Sequence, residues 1–246
     1  MKNKYIISIE GNIGSGKTTI IENLKKRFED DASVIFLTEP VDIWEKIKDK
    51  DGKTILSKFY EDPEKYAFPF QVMAYATRTE KISNAKKENP DAKFIICERS
   101  LEADNNIFAK MLKDDNKIED INYQIYEHFY KSRKEENNVD AVVYIDASPS
   151  KCLERIQKRS RTGETGISYE YLQTCRDYHD KWLIDGDEFP VLRINTNEDV
   201  KYDMNDPDEM GNIWIKNISS FIKTLPTPCN KNNGLLIAEP KEYKVE

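Results

Sequence analysis

The octapeptide Gly11-Asn12-Ile13-Gly14-Ser15-Gly16-Lys17-Thr18 admits few folds. An apolar run, Tyr5 to Ile9, ends just before it, and a helix-forming stretch, Thr18 to Glu29, begins as it closes. Strand, glycine-rich turn, Lys, Thr, helix is the order of a phosphate-binding P-loop. The glycines let the backbone curl so that successive N–H groups face a phosphate, and the helix adds the positive end of its dipole. The expected cradle runs from Gly11 to Thr19, with Lys17 reaching the β- and γ-phosphates and the Thr18 hydroxyl ligating Mg²⁺.

Four more apolar runs read as strands: Ser33–Leu37, Lys93–Cys97, Asp140–Asp146 and Phe189–Ile194. Helix-forming stretches separate them, the alternation that gives parallel sheets. The expected fold is therefore α/β, a P-loop NTPase-type parallel five-stranded sheet flanked by helices. In such sheets ligands sit beyond the carboxyl ends of the strands. The second strand ends at Thr38-Glu39-Pro40 and the third at Glu98-Arg99-Ser100, so both deliver charge to the cleft of Lys17. Glu39 is placed as a general base toward an attacking hydroxyl; it also reads as the N-terminal residue of a helix over Val41–Lys48. Glu98 can hold Mg²⁺ through water, and Arg99 can orient a carboxylate or steady a phosphate.

Thr54 to Lys87 reads as helical and strongly aromatic, with Pro63 opening a second helix at its first turn. Phe68 and Tyr75 read as core. Gln71 and Arg78 stand two turns apart on one face, either to read the edge of a stacked base or as a wetted flank. Two helices follow over Ser100–Lys113 and Glu119–Glu136, with Asp104 early in the first. Ser148-Pro149 opens another through Arg159. Its Arg155 and Arg159 share a face, and Arg161 follows beside Gly163 and Gly166. That is the outline of an arginine lid, about 159–168, able to close on a transferring phosphoryl group. Helices over Ser168–Ile184 and Ile213–Lys223 complete the pattern.

Composition narrows the partners. The 246 residues carry 45 acidic and 38 basic side chains, a formal charge of −7, which disfavours a nucleic-acid polymer. No apolar run spans a bilayer, and the short lead before the first strand leaves no room for a leader peptide. Cys97, Cys152, Cys175 and Cys229 lack metal-ligand spacing and read as free thiols of a cytoplasmic, reducing compartment. His128 and His179, each alone in a polar helical stretch, read as structural or solvated and not as catalytic. Residues 1–225 form the expected single domain, and 226–246 a loosely held tail.

In order, IEGNIGSGKTT at 9–19, TEPVDIW at 38–44, FYEDPEKYAFPFQ at 59–71, ERS at 98–100, RSRTGETGISYEYL at 159–172 and TNED at 196–199 resemble the deoxynucleoside kinases. The likeness is to their deoxycytidine/deoxyguanosine kinase-like branch. It implies transfer of the γ-phosphoryl of ATP to the 5′-hydroxyl of a deoxynucleoside, with Mg²⁺, in a homodimer built through long helices. Glu39 would take the hydroxyl proton, Arg99 would hold Glu39 and the phosphate, and Glu98 with Thr18 would manage the metal. Arg155, Arg159 and Arg161 would contact donor phosphates; Glu198 and Asp199 would lie near the donor base. Tyr60 and Glu164 would hold the sugar 3′-hydroxyl. Trp44, Phe70 and Phe108 would enclose the base, beside Leu56, with Gln71 reading its edge. The resemblance further implies that Arg78, Asp104 and the small Ala74 favour deoxycytidine, deoxyadenosine or deoxyguanosine over thymidine, whose preferring relatives carry Met and Ala in place of the charged pair. Asn105 departs from the Arg of many relatives, and 202–210 reads as an insertion. A thymidylate kinase-like monophosphate kinase and an inactive nucleotide-binding subunit are the alternative readings. Thr38 in place of an Arg speaks against the first, and the presence of Lys17, Glu39 and Arg99 against the second.

Overall fold

All five apolar runs pair as strands, and every pairing is parallel. They are β1 (Tyr5–Gly11), β2 (Val34–Leu37), β3 (Phe94–Glu98), β4 (Ala141–Asp146) and β5 (Val191–Asn195). Their spatial order is β2-β3-β1-β4-β5. The computed structural model describes residues 4–161, 164, 166–203 and 206–225. The tail and Gly163 lie outside the described residues.

Strand order explains where the charged loop tips meet. The register sets Ile9 against Glu98, Leu37 against Cys97 and Gly11 against Ile145. The carboxyl ends of β1, β2 and β3 therefore finish nearly level. Chain direction around the sheet reverses at β1, so the crevice of an open α/β sheet opens above this end.

Side chains alternate across the sheet, as the strand period of two requires. Ile7, Ile9 and Val143 pack with α1 (Lys17–Arg27) and with Trp214, Ile215 and Ile218 of α10 (Met210–Thr224). Ile6, Ile95 and Val142 face the other way, onto Tyr75 and Ile82 of α4 (Pro63–Glu88), Tyr126 of α7 (Asp120–Asn137) and Leu183 of α9 (Tyr169–Leu183). Both layers exclude water, at about 25 cal/mol per Å² of apolar surface.

Two helices differ from expectation. The one read over Val41–Lys48 stops at Trp44 as α2 (Val41–Trp44), with no side chain capping its start. Beyond it, Lys48 bridges antiparallel to Thr54 across a turn in which the Asp49 carboxylate accepts from the N–H groups of Asp51 and Lys53. That local side-chain bonding outcompetes helix continuation. Thr54 then caps α3 (Ile55–Glu61), and Asp62 caps α4. The stretch Ser100–Lys113 splits into α5 (Leu101–Ala103), a π-helical segment Asp104–Ala109 and α6 (Lys110–Asp114). Such π segments recur at functional sites. Ser148 caps α8 (Pro149–Arg159), as read from the sequence.

Candidate active site

The P-loop is held from beneath by three side-chain–backbone hydrogen bonds. Asn12 Nδ2 donates to the Leu172 carbonyl at 2.8 Å, while the Lys17 ammonium donates to the carbonyls of Gly11 (3.1 Å) and Asn12 (2.8 Å). Gly14 has φ +80°, and a Cβ there would stand 2.6 Å from the Cys152 carbonyl oxygen, so this position tolerates only glycine. Burial, with Arg99 adding to it, lowers the Lys17 ammonium to about 8; Glu39, Glu98 and Glu10 oppose the shift.

Above the loop lies a cavity of about 480 Å³. It collects residues from the whole chain: Ile13 to Thr19, Glu39, Trp44, Leu56, Tyr60, Phe70, Gln71, Ala74, Arg78, Glu98, Arg99, Asp104 and Phe108. Arg155, Arg159, Arg161, Glu164, Glu198 and Asp199 line it as well. Two residues of the expected cradle do not: Gly11 and Asn12 sit below it, as anchors for the Lys17 side chain and α9.

Charged groups meet at the strand ends. Glu39 Oε1 lies 2.5 Å from Arg78 Nη2 and 3.5 Å from Arg99 Nε. Burial on its own raises the Glu39 carboxyl, but Arg78, then Arg99 and Lys17, pull it down to about 2. Arg78 Nε also reaches Asp104 Oδ2 at 2.9 Å, and its Nη1 donates to the Glu98 carbonyl at 3.0 Å. Burial lifts Asp104 to about 6 against the pull of Arg78 and Arg99. Arg99 itself occupies the left-handed region, φ +68°, at a conformational cost of roughly 1–2 kcal/mol. Its guanidinium lies 4.4 Å from the centre of the Phe108 ring and donates to the Gly11 carbonyl at 3.3 Å.

At the other end, aromatic rings and amides line the pocket. Phe70 stacks on Phe59 (centroids 4.8 Å, 10°) and meets Trp44 edge-on at 5.3 Å. Gln71 is buried on the same helix, and its Oε1 has no hydrogen-bond partner among the described residues. Buried amide oxygens are seldom left so. The Tyr60 hydroxyl is raised by burial and by Glu164.

The three lid arginines divide. Arg155 donates to the carbonyls of Ser15, Thr196 and Glu198 and to the Asp199 carboxylate. Arg159 grips Glu164 through Nε (2.9 Å) and Nη2 (2.7 Å), with Arg161 Nη1 3.5 Å from the same carboxylate. Thr18 Oγ1 donates to Glu98 Oε1 at 2.6 Å. A hydroxyl and a carboxylate so placed beside a P-loop suit Mg²⁺, a hard cation that takes few protein oxygens and shares the rest with phosphate and water. No cluster of three or more acidic, His or Cys ligands occurs among the described residues.

Two lining residues carry no motif signal in the sequence. Tyr202 and Trp214 reach the cavity from elements remote in the chain, beside Tyr171 and Thr196 of the motif stretches. Glu10 did carry a signal: a carboxylate inside an apolar strand. It is fully buried beneath Arg99 (Nη1 to Oε2, 4.0 Å) and accepts from Ser8 and from the N–H (2.8 Å) and hydroxyl (2.7 Å) of Ser100. Burial raises its carboxyl, with Arg99 the largest opposing influence. His179 is structural, buried with its ring stacked on Tyr144 and Nδ1 2.6 Å from the Cys175 carbonyl. Cys97, Cys152 and Cys175 are free and buried, and burial raises their thiols to about 11–12.

A P-loop at the switch point of a parallel sheet, opening on one pocket lined by carboxylates and arginines, defines a nucleotide-dependent phosphotransferase. The sequence model of the deoxynucleoside kinase family matches residues 7–222, and the chain belongs to that family. It is similar to the probable deoxycytidine kinase of Fowlpox virus (strain NVSL), 35% identical over 225 residues, covering 89% of this chain and 88% of the relative. Deoxycytidine kinase 2 of Gallus gallus is 32% identical over 80% of this chain and 84% of its own. The mitochondrial deoxyguanosine kinase of Xenopus laevis is 29% identical over 84% and 86%. The chain is thus a kinase with a nucleoside triphosphate donor and a deoxynucleoside acceptor. No helix among the described residues is long and apolar enough to cross a membrane.

Proposed function

We propose that this kinase moves the γ-phosphoryl of ATP to the 5′-hydroxyl of deoxycytidine, deoxyadenosine or deoxyguanosine, and uses thymidine poorly. The observation that carries the base preference is the buried Arg78–Asp104 pair at 2.9 Å, beside the unpartnered Gln71 Oε1. An amide acceptor next to a charged pair suits a base presenting an exocyclic amine and ring acceptors. Thymine instead brings a methyl group and leaves buried polar atoms unmatched, a discrimination that can reach several orders of magnitude. The names of the similar kinases of fowlpox virus and Gallus gallus agree with deoxycytidine.

In this mechanism the P-loop N–H groups and Lys17 hold the β- and γ-phosphates. Glu39 accepts the 5′-hydroxyl proton as the new O–P bond forms and the bond to the ADP oxygen breaks. Arg99 orients Glu39 and, with Arg159 and Arg161 swung from Glu164, neutralises charge on the phosphoryl group. Thr18 and Glu98 would hold Mg²⁺, which when bound neutralises donor phosphate charge. Tyr60 and Glu164 hold the 3′-hydroxyl; Glu198 and Asp199 flank the donor base. We further propose one domain over residues 1–225, a tail over 226–246, a cytoplasmic setting and a homodimer. An apolar stripe on α7 supports the dimer: Ile121, Ile125 and Phe129, at successive i, i+4 positions, are 67%, 44% and 44% exposed. The test is kcat/KM over the four natural deoxynucleosides and thymidylate, read as ADP release. Thymidine or thymidylate as the best acceptor would refute the preference. The double change Arg78→Met with Asp104→Ala should admit thymidine.

A further inference from the structure

The Arg78 guanidinium physically joins the nucleobase end of the cavity to the carboxylate at its reacting end. Its Nε engages Asp104 Oδ2 at 2.9 Å, its Nη1 the Glu98 carbonyl at 3.0 Å and its Nη2 Glu39 Oε1 at 2.5 Å. Its central carbon stands 5.5 Å from the Trp44 ring centre, and the side chain is buried. Glu39 Oε1 faces Arg99 Nε as well, at 3.5 Å. Oε1 thus accepts from one guanidinium and lies within ion-pair reach of a second, and the two together fix how the carboxylate is turned. A general base needs a lone pair directed at the hydroxyl whose proton it takes.

Resting on the deoxynucleoside kinase reading above, we propose that Arg78 is a positioning residue that withholds Glu39 from proton transfer until a nucleobase bearing hydrogen-bond acceptors draws the guanidinium toward itself. Recognition of the base then sets the rate of reaction at the 5′-hydroxyl as well as the affinity. Geometry favours this over simple base reading, because the donor nearest Glu39 belongs to the side chain that also lines the base pocket. Asp104 has the opposite influence. It shares Arg78 with Glu39, so removing its charge leaves Glu39 as the one carboxylate, among the described residues, in ion-pair contact with that guanidinium.

The discriminating acceptor is 1,2-dideoxyribose, the substrate sugar with hydrogen in place of the base. It occupies the reacting end and offers Arg78 nothing. On this sugar, Arg78→Met is expected to raise kcat/KM at least about tenfold over wild type while lowering kcat/KM on deoxycytidine. Asp104→Asn is expected to lower turnover of the sugar. A purely base-reading or structural Arg78 predicts no gain on the sugar from any substitution. Since Arg78→Met alone strands a buried Asp104, Arg78→Met with Asp104→Ala, which removes both charges, carries the same expectation. Calorimetric affinity for deoxycytidine separates binding from rate. Sugar turnover unchanged or reduced in both Met variants overturns the gate. Wild-type enzyme that turns over no deoxynucleoside overturns the kinase reading itself, so the two failures are distinct.

Discussion

Changing Glu39 to Gln removes one charge and almost no volume at the point where Arg78, Arg99 and Lys17 converge. Without a carboxylate to take the hydroxyl proton, kcat should fall by about 10²–10⁴, or ~3–5 kcal/mol of barrier. The structure says how much of that loss comes from damage instead of chemistry. Breaking a fully buried ion pair costs about 3–5 kcal/mol. Here the Glu39 side chain is 22% exposed, Arg78 keeps Asp104 at 2.9 Å, and Arg99 keeps Glu10 at 4.0 Å. The Gln carbonyl can still accept from Arg78, so the stability loss should be about 1 kcal/mol, a melting shift of roughly 2–4 °C. The assay is initial rate at saturating deoxycytidine and ATP, paired with a melting curve and calorimetric nucleoside affinity. The expected pattern is collapsed kcat, a small melting shift and nearly unchanged affinity. A kcat within fivefold of wild type removes Glu39 from proton transfer.

Three other outcomes follow from described features. Gly14→Ala forces a Cβ against the Cys152 carbonyl and into a left-handed backbone worth about 1–2 kcal/mol; the KM for ATP should rise at least about tenfold while that for deoxycytidine holds, and an unchanged donor KM refutes the cradle. Burial, aided by Arg99, lowers His179 from 6.5 to about 3, so the unfolded chain protonates it first as pH falls. Stability should be insensitive to this ring above pH 6.5 and fall between 6.5 and about 3, by ~3–5 kcal/mol in all; His179→Gln should flatten that part of the melting-temperature profile, and an equally steep profile refutes the assignment. Phe129→Glu on the exposed face of α7 should shift the sedimentation of the protein from dimer to monomer, and a monomeric wild type removes the dimer proposal.

The sheet was legible because β1, β3 and β4 are buried on both faces and so read as continuous apolar runs. The glycine turn and the charged residues at strand ends were legible for the same reason: a parallel sheet has one productive edge. Glu39, Glu98 and Arg99 could be placed over Lys17 before any coordinates. Arg78 could be put on a helix face with Gln71, but not opposite Glu39, because that meeting depends on how α4 packs over β2 and β3. Local chemistry misled at two places. The Asp49 turn cut the helix after Trp44, and the π-helical segment hid inside a stretch with ordinary helical propensity. Tyr202 and Trp214 had no pattern to betray them, since only tertiary packing gathers them.

The π-helical segment Asp104–Ala109 also constrains how this protein can vary in length. A widened turn accommodates one residue more than an α-helix of the same rise, so it is the one place in that stretch where a single-codon deletion leaves a regular helix behind. Losing one residue from the α-helical turns on either side would instead swing everything beyond the cut by about 100°. Asp104 and Phe108 face a common chamber; a deletion outside the widened turn would rotate neighbouring side chains away from it. Substitution can retune this wall gradually, whereas shortening the helix anywhere but the widened turn would dismantle it in a single event.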